Sequence, residues 1–328
     1  MSSATQYPTT YRTAESVSPK HPDKLCDQIS DAILDAYLTG DPKARVAVET
    51  CGGHGKVFLT GEVRSSHIVD PVPIVHRIAG DSLEVIVNIV IQSPEIARGV
   101  DTGGAGDQGI MVGYATHETA EYLPLETVLA RRLNQYLYKK WPYDGKTQVT
   151  LKDGAVHSVV ASFQYTKQSE LEARVKEFFD SVPEYGNDYE VFANPSGDWD
   201  QGGFDADAGL TGRKLVVDNY GPRIPIGGGC FSGKDATKVD RSAAYIARRI
   251  AVDYLRTRNA QEVYCYLAYA IGRKEPLEAT VIVDGVQEVV EGYDITPRGI
   301  IDALSLEIPQ FEKTAQWGHF GNGFGWDS

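Results

Sequence analysis

The segment of this chain with the most chemical potential is a glycine-rich stretch followed by closely spaced charges, Gly227–Ser242. Glycines lack a Cβ and let backbone N–H groups approach an anion. A helix predicted over Ala236–Arg256 adds about half a positive charge at its start. We expect Lys234 and Lys238, four residues apart, to lie on one face of that helix, with Asp240 able to hold a divalent cation. The segment predicts a polyphosphate site and favours a nucleotide-using enzyme.

Two glycine motifs match known nucleotide-binding motifs only in part. Gly228–Lys234 fits G-x-x-x-x-G-K, but Asp235 follows where a P-loop has the Ser or Thr that binds magnesium. Gly104–Gly109 reads G-x-G-x-x-G, yet no strand directly precedes it and no helix start follows, as a dinucleotide-binding fold requires. A flexible surface turn is the alternative for both loops, although a solvated turn would gain nothing from clustered lysines.

Further charged segments lie at the joints between predicted elements. His21 and Asp23 flank Pro22, a residue favoured at the start of a helix; the alternative is an Asp23 helix cap beside an exposed His21. In Gly104–Gly109 we expect a buried carboxylate, Asp107, able to bind an ammonium group or a ribose. The cations that could together neutralise a triphosphate are His21, Lys146, Arg213, Lys214, Lys234 and Lys238, with Arg213 and Lys214 expected at the start of a strand.

Composition narrows the class of protein. The 328 residues allow two or three subdomains, and a net charge of −13 argues against nucleic acid or an anionic membrane as partner. The sequence contains neither a signal peptide nor an apolar run of transmembrane length. The four cysteines form no C-x-x-C pair, which favours reduced thiols. We therefore expect a cytoplasmic enzyme.

The positions of apolar residues and turns predict a repeated order of elements, helix–hairpin–helix–strand, in three α+β units. Hairpins predict antiparallel sheets with one face packed against helices. The predicted elements are a helix at Pro22–Leu38, strands at Arg45–Thr50 and Lys56–Val63, a helix at Val72–Ile78 and a strand at Glu84–Gln92; a helix at Leu125–Lys139, strands at Gln148–Lys152 and Val156–Tyr165, a helix at Ser169–Phe179 and a strand at Tyr189–Asn194; and the helix from Ala236, strands at Glu262–Ile271 and Ala279–Val283, and a short helix from Pro297.

Five motifs spread over almost the whole chain make it resemble the S-adenosylmethionine synthetases (methionine adenosyltransferases) of the bacterial and eukaryotic type. They are E-S-V-S-x-x-H-P-D-K at Glu15–Lys24, G-A-G-D-Q-G at Gly104–Gly109, G-L-T-G-R-K at Gly209–Lys214, G-G-G-x-F-S-G-K-D-x-T-K-V-D-R-S-A-A-Y at Gly227–Tyr245, and G-H-F-G at Gly318–Gly321. The resemblance implies three α/β subdomains around a pseudo-threefold axis, with boundaries at 8–107, 112–221 and 223–328. It also implies a homodimer, or a dimer of dimers, with the active site between subunits.

The resemblance further implies the reaction and the residues that serve it. The methionine sulfur attacks C5′ of ATP, and the released triphosphate is hydrolysed to phosphate and diphosphate. The implied catalytic residues are His21, Lys146, Arg213 and Lys234. The implied ATP-binding set adds Asp144, Gly145, Asp198, Trp199, Asp207, Lys214 and Cys230. The implied methionine-binding residues are Glu62, Gln92, Asp107, Asp207 and Lys238. The implied cofactors are two Mg²⁺ per site, held by Asp23 and Asp240, and a K⁺ held by Glu49.

The chain departs from the family pattern at two places. Asn194–Trp199 carries Asp198 and Trp199 where relatives usually have an Arg-Phe pair, so a cation is lost and an aromatic face is kept. The segment from Gln92 to Gly104, a mobile lid in relatives, is shorter here. Two other functions stay open: a nucleotide-binding regulatory protein without turnover and a phosphate-transferring kinase. Product analysis separates these, since only a kinase makes ADP.

Overall fold

The computed structural model describes residues 9–92, 103–186 and 188–327, and they form three four-stranded sheets with helices packed on them. The helices are α1 (Pro22–Gly40), α2 (Val72–Ala79), α3 (Leu125–Tyr138), α4 (Gln168–Asp180), α5 (Leu215–Asp218), α6 (Val239–Arg258), α7 (Pro297–Leu304) and α8 (Phe311–Trp317). The strands are β1 (Tyr11–Val17), β2 (Arg45–Gly53), β3 (Lys56–Arg64), β4 (Glu84–Ile91), β5 (Gly109–Thr116), β6 (Gly145–Lys152), β7 (Ala155–Phe163), β8 (Glu190–Ala193), β9 (Gly209–Leu210), β10 (Glu262–Tyr269), β11 (Glu278–Val283) and β12 (Val286–Val289).

Each sheet contains one strand from a distant part of the chain. The strand orders are β4-β3-β2-β9, β1-β6-β7-β8 and β12-β11-β10-β5. The expectation of antiparallel sheets is wrong for two of them, because β3 pairs with β4, and β7 with β8, in parallel. In both places the helix that connects the two strands returns the chain to the same end of the sheet, which is the connection that parallel pairing requires. The α+β fold class is confirmed.

The predicted helices and hairpins are present, but four strands, β1, β5, β9 and β12, were not expected from the sequence, and β1 and β5 are the longest of them. The strand β1 is polar, and it is held by a full antiparallel ladder with β6. The strand β5 begins in a glycine-rich loop and contains Gly113, where a Cβ would lie 2.0 Å from the carbonyl oxygen of Ala247 in α6. Only a glycine lets strand and helix approach so closely. Both strands depend on tertiary partners that a local pattern does not reveal.

The interior is organised as two hydrophobic cores. The larger one joins α1, the sheet of β2 and β3, the helix α6 and the sheet of β5 and β10. The smaller one lies between the β6–β7 sheet and the helices α3 and α4. No helix in the described part of the chain is long and apolar enough to span a membrane. Residues 93–102, most of the segment that the resemblance assigns to a lid, lie outside the described residues.

Candidate functional site

The first helix brings His21 and Asp23 together at its start. His21 is the N-cap of α1, and its Nδ1 accepts a hydrogen bond from the backbone N–H of Asp23 at 3.2 Å. The capping residue is therefore His21 and not Asp23, and the His21 side chain is only 20% exposed. Because Nδ1 is an acceptor in this contact, a neutral His21 carries its proton on Nε2. That N–H is available as a hydrogen-bond donor.

The charge state of His21 is set by its surroundings. Burial, followed by the positive charge of Lys214, lowers the pKa of His21 to about 4, while Asp23 partly opposes the shift. Lys146 and Lys24 lower it further. The imidazole is therefore neutral near pH 7 and points a neutral donor into a cationic environment.

Asp23 is fully buried and gathers two of the expected cations. Its carboxylate accepts a hydrogen bond from Lys214 Nζ at 2.6 Å and contacts Arg213 Nε at 3.0 Å. The backbone N–H of Leu210 donates to it at 2.9 Å. Burial alone would raise the pKa of Asp23, but the bonds from Lys214 and Leu210 outweigh that effect and lower it. The carboxylate is thus held ionised.

The sequence suggested that Arg213 and Lys214 begin a strand, but in the structure they do not. The strand β9 ends before them at Leu210, and the short helix α5 begins after them at Leu215. They therefore lie on a turn whose backbone is fixed at both ends, and the turn aims both cations at Asp23.

The glycine-rich loop that begins at Gly227 pairs with part of β2 in an irregular antiparallel arrangement. Gly233 accepts from the N–H of Val48, and the N–H of Asp235 donates to the carbonyl of Val46. Gly233 has φ +81°, and a Cβ there would lie 1.9 Å from the carbonyl oxygen of Val48. Glycine is required both by its backbone conformation and by this contact. The pairing places Lys234 opposite Ala47.

Lys234 and Lys238 do not share a helix face, because α6 begins only at Val239. Lys234 Nζ donates to Asp240 at 2.8 Å, whereas Lys238 Nζ donates to Asp235 at 2.6 Å. Burial works to lower the pKa of Lys234, but the hydrogen bond to Asp240 and nearby negative charge raise it above its usual value. The structure therefore contains two separate cation–carboxylate pairs, whereas the sequence predicted two lysines on one face of a helix.

The backbone at Gly229 is packed so tightly against Asp240 that a side chain is excluded there. A Cβ at Gly229 would lie 2.1 Å from the Asp240 carboxyl carbon, and a Cβ at Gly109 would lie 3.5 Å from one of its oxygens. The loop Gly104–Gly109 and the glycine-rich loop therefore meet at Asp240. The expectation of a buried Asp107 is wrong, since Asp107 is exposed and accepts a hydrogen bond from the N–H of Gln108.

The first cation cluster is Arg213 and Lys214 beside Asp23, and the second is Lys234 beside Asp240. The two clusters meet at Cys230. A Cβ at Gly212 would lie 2.5 Å from Cys230 Cβ, so the turn that carries Arg213 touches the loop that carries Lys234. Burial raises the pKa of the Cys230 thiol, and Lys234 opposes it. Cys230 is therefore a neutral packing residue between the two clusters.

Residues at the start of β6 complete this region. Lys146 pairs with Glu15 of β1 at 2.5 Å, and its charge acts on His21. Asp144, just before Gly145, accepts from the N–H of Gly203 at 2.9 Å. Burial raises the pKa of Asp144 to about 6. Asp207, another expected site residue, is exposed and accepts from the N–H of Ala208.

Three of the residues expected at the methionine and potassium sites, Glu49, Glu62 and Gln92, lie on or beside the outer face of the first sheet. Glu49 and Glu62 point to the same side of β2 and β3 by strand alternation. Gln92 Nε2 donates to Glu62 Oε1 at 2.9 Å. The side-chain oxygen of Gln92 is buried and has no hydrogen-bond partner within the described residues.

Trp199 and Asp198 have clear local partners. The indole Nε1–H of Trp199 donates to Asn194 Oδ1 at 3.3 Å, and buried Asn194 is fixed by bonds to Phe163 and Thr166. Asp198 accepts from the N–H of Gln168 at 2.8 Å and contacts Lys167 at 3.1 Å. Asp198 therefore supports the start of α4.

Sequence reasoning included Asp23 in the site but missed Asp27 and Asp31, the acidic residues that hold these two loops. Asp23, Asp27, Asp31 and Asp35 recur every four residues on α1, and a four-residue spacing places them on one face. Asp27 accepts from the N–H of Gly212, and Asp31 from the N–H of Gly233. The four-residue spacing is visible in the sequence, but the sequence does not show which loops pack against α1.

The donor set of the site suits a hard cation that shares a phosphate ligand. Nowhere in residues 9–92, 103–186 and 188–327 do three or more His, Cys, Asp or Glu side chains gather as a metal site. Asp23 and Asp240 each offer one carboxylate beside lysine. Mg²⁺ is commonly bound by one or two carboxylates together with substrate phosphates, so these residues fit such an ion.

Comparisons with known proteins agree along the chain. The family models described as S-adenosylmethionine synthetase N-terminal, central and C-terminal domain match residues 9–94, 102–199 and 201–328. The chain is 41% identical to the S-adenosylmethionine synthase of Petrotoga mobilis, over 94% of this chain and 93% of that protein. It is 42% identical to S-adenosylmethionine synthase 1 of Frankia casuarinae, with the same coverage. It is 40% identical to the S-adenosylmethionine synthase of Mycoplasmopsis synoviae, over 96% and 94%.

The neutral state of His21 gives a test by pH. Because the folded pKa of about 4 lies below the ordinary value of 6.5, the unfolded chain binds more protons between these pH values. His21 therefore lowers wild-type stability as pH falls from 6.5 towards 4. His21→Asn keeps a favoured N-cap. Its free energy of unfolding relative to wild type, measured with denaturant, should therefore rise as pH falls from 6.5 towards 4.

An NMR titration of His21 provides the direct check. Its imidazole signal should titrate near pH 4 in the free protein. A midpoint at or above 6.5, or a His21→Asn protein with unchanged pH dependence, would show that the cationic environment does not reach His21.

Proposed function

Since the chain belongs to the S-adenosylmethionine synthetase family, we propose that its two cation clusters form the site where ATP and methionine react. The chain is an enzyme of this family, a methionine adenosyltransferase whose product is S-adenosylmethionine. The observation that carries the site proposal is that each expected phosphate-binding cation lies beside a carboxylate in one connected region. The pairs are Lys214 and Arg213 with Asp23, Lys234 with Asp240, Lys238 with Asp235, and Lys146 with Glu15.

The proposed reaction needs electrostatics and positioning. The methionine sulfur forms a bond to C5′, the C5′–O bond breaks, and the oxygen leaves with the electron pair as triphosphate. A thioether is a neutral nucleophile that needs no general base. Negative charge grows on the leaving oxygen, so fixed cations and hydrogen-bond donors lower the barrier. The triphosphate is then hydrolysed to phosphate and diphosphate at the same residues.

His21 is proposed to donate its Nε2–H to the oxygen that leaves C5′. Its neutral form suits this role, because the Nε2–H can donate a hydrogen bond to the growing charge while the neighbouring cations supply the positive charge. Arg213 and Lys214 follow on the adjacent turn, and Lys146 adds its charge from β6. These residues, with Lys234 on the second loop, are proposed to hold the triphosphate.

Two magnesium ions are proposed at Asp23 and Asp240, whose carboxylates would hold them, and the ions would supply positive charge against the triphosphate. Both carboxylates now contact lysine. A triphosphate would draw those lysines to its oxygens and free the carboxylates for metal. A potassium ion is proposed at Glu49, whose charge already acts on Lys234.

Methionine is proposed to bind beside Glu62 and Gln92. The unpartnered side-chain oxygen of Gln92 and the carboxylate of Glu62 can accept hydrogen bonds from its ammonium group. Lys238 can attract its carboxylate. Asp107 and Asp207 are exposed in one chain, and we propose that a second subunit brings them into contact with substrate.

An exposed apolar row supports the proposed homodimer. Ile86, Phe58, Cys51 and Leu210 lie side by side across β4, β3, β2 and β9 in register. All four are exposed, three of them by 38–41%. Glu49 and Glu62 share this face, so a second copy covering the row would place them at the subunit interface. A dimer of dimers is a further possibility within this proposal.

Three subdomains at 8–107, 112–221 and 223–328 are proposed, each built around one sheet. The strands β1, β5 and β9 tie each sheet to a distant part of the chain. A cytoplasmic location is also proposed, because the four cysteines, all within the described residues, are free thiols.

Mass analysis of the products is the first test of the function. With ATP, methionine, Mg²⁺ and K⁺, wild type should form S-adenosylmethionine, phosphate and diphosphate. Lys234→Ala should form the same products about 10²–10³ times more slowly, as expected for loss of one charge-stabilising donor. Its unfolding midpoint should change far less than its rate, because the 19% exposed Lys234 side chain contributes one partly solvated ion pair, to Asp240. Production of ADP, product without methionine, or normal turnover of Lys234→Ala would contradict the proposal.

Trp199 is proposed to stack on the adenine ring. It is half-buried and belongs to neither hydrophobic core, and Asn194 fixes its indole. Trp199→Ala should weaken ATP binding roughly 5- to 150-fold, which corresponds to about 1–3 kcal/mol for stacking on one base. Trp199→Phe should keep most of the affinity. Calorimetry with ATP provides the measurement; a normal affinity of Trp199→Ala would mean that adenine binds elsewhere.

The dimer is tested at the apolar row. Phe58→Glu should produce a monomer by light scattering and abolish synthesis, because a charge at the centre of a covered apolar surface is not tolerated. Val286→Glu on β12 is the control, since Val286 is even more exposed and lies on another sheet. An active wild-type monomer at assay concentration, or an active monomeric Phe58→Glu protein, would refute the shared site.

A further inference from the structure

We propose that Asp27 and Asp31 of α1 are positioning residues for the reaction. Neither reaches substrate; each fixes one of the two loops that carry the triphosphate-binding cations. The inference rests on the proposed roles of Arg213, Lys214 and Lys234.

Asp31 fixes the loop that carries Lys234. Its Oδ1 accepts the N–H of Gly233 at 2.8 Å, directly before Lys234. Both oxygens also accept from Arg241, at 2.6 and 2.8 Å, and both side chains are fully buried. Arg241 in turn donates to the carbonyl of Lys234 at 3.1 Å. The backbone on both sides of the Lys234 Cα is therefore tied to one buried ion pair.

The same ion pair also sets the position of Asp240. Arg241 follows Asp240 in the first turn of α6, and its Nε donates to Tyr245 while a second nitrogen donates to Thr314. These four partners leave the guanidinium a single orientation. Movement of Asp31 would therefore shift Lys234 and Asp240 together relative to the rest of the site.

Asp27 fixes the loop that carries Arg213 and Lys214. Its Oδ1 accepts the N–H of Gly212 at 2.8 Å. Gly212 has φ +82° and touches Cys230, so it has little room to move. Lys24 lies 3.8 Å from Asp27, yet its closer partner is Asp218 at 2.6 Å. Loss of Asp27 would thus release Gly212 without leaving Lys24 unpaired.

The next carboxylate along the helix provides a matched control. Asp35 accepts the backbone N–H groups of Gln310, Phe311 and Glu312 at the start of α8. It shares the helix face, the spacing and the type of partner with Asp27 and Asp31. None of the proposed site residues lies on α8, although Thr314 of α8 is one of the four partners of Arg241. A purely structural role for the whole row predicts equal effects at all its positions.

Positioning is expected to matter because a misplacement of about 1 Å can cost about 10²-fold in rate. We therefore expect Asp31→Asn to lower kcat by about 10²-fold, and Asp27→Ala by at least about 10-fold, at a temperature where each protein is folded. Asp27→Asn keeps an acceptor for Gly212 and should restore most of kcat. Asp35→Asn should lower the unfolding midpoint but leave kcat near the wild-type value.

The test combines steady-state kcat and KM with calorimetric binding of inorganic tripolyphosphate in the presence of Mg²⁺. Tripolyphosphate affinity should fall in Asp31→Asn and Asp27→Ala and stay unchanged in Asp35→Asn. If Asp31→Asn does not fold, Arg241→Lys serves in its place, because it keeps the buried charge and loses the fork that reaches the Lys234 carbonyl. It should show the same losses.

Two results would overturn the inference. One is a folded Asp31→Asn or Arg241→Lys protein, together with Asp27→Ala, whose kcat and tripolyphosphate affinity match those of wild type. The other is an Asp35→Asn protein that loses both to the same extent. Failure of the underlying site proposal is distinguishable, since wild type itself would then not bind tripolyphosphate.

Discussion

The rest of the site depends on buried carboxylates of one helix that accept hydrogen bonds from the backbone of distant loops. Asp23, Asp27 and Asp31 receive the N–H groups of Leu210, Gly212 and Gly233. A loop has few side-chain contacts of its own, so its conformation must be imposed from outside. An ionised acceptor such as Asp23 does this well, because hydrogen bonds to ionised groups are about twice as strong as neutral ones, whereas burial raises the pKa of Asp27 to about 7.

Burial of so much charge is tolerated because each group has a partner. Asp31 pairs with Arg241, Asp218 with Lys24, and Asp23 with Lys214. The Asp31–Arg241 and Asp218–Lys24 pairs are buried on both sides, whereas Lys214 and Lys234 are 15% and 19% exposed and can exchange partners. A magnesium triphosphate offers both the anion and the cation for that exchange. Under the proposed function, α1 therefore carries buried charge that holds the loops and, at its start, charge that would exchange partners when substrate binds.

The sequence predicted much of this and failed where tertiary partners decide. The length and apolar spacing of α1 and the turns of the hairpins predicted the α+β fold, and the motifs predicted the family. The polar strand β1 was missed because its order comes from β6, and Lys238 was placed on a helix that begins one residue later. Asp107 was expected to be buried because glycines surround it, although a single chain leaves it exposed. The support of the loops by Asp27 and Asp31 required knowledge of which loops pack on α1.

Native-state hydrogen exchange of the Gly212 and Gly233 amides tests the central claim most directly. The amide of Val46 in β2 is the slow reference, because its N–H donates to the buried carboxylate of Asp235. If carboxylates of α1 hold these loops, the amides of Gly212 and Gly233 should exchange as slowly as that of Val46. The exposed turn at Gly285 should exchange quickly in the same sample. Exchange of Gly212 and Gly233 at the rate of Gly285 would contradict the claim that the helix imposes the conformation of the loops.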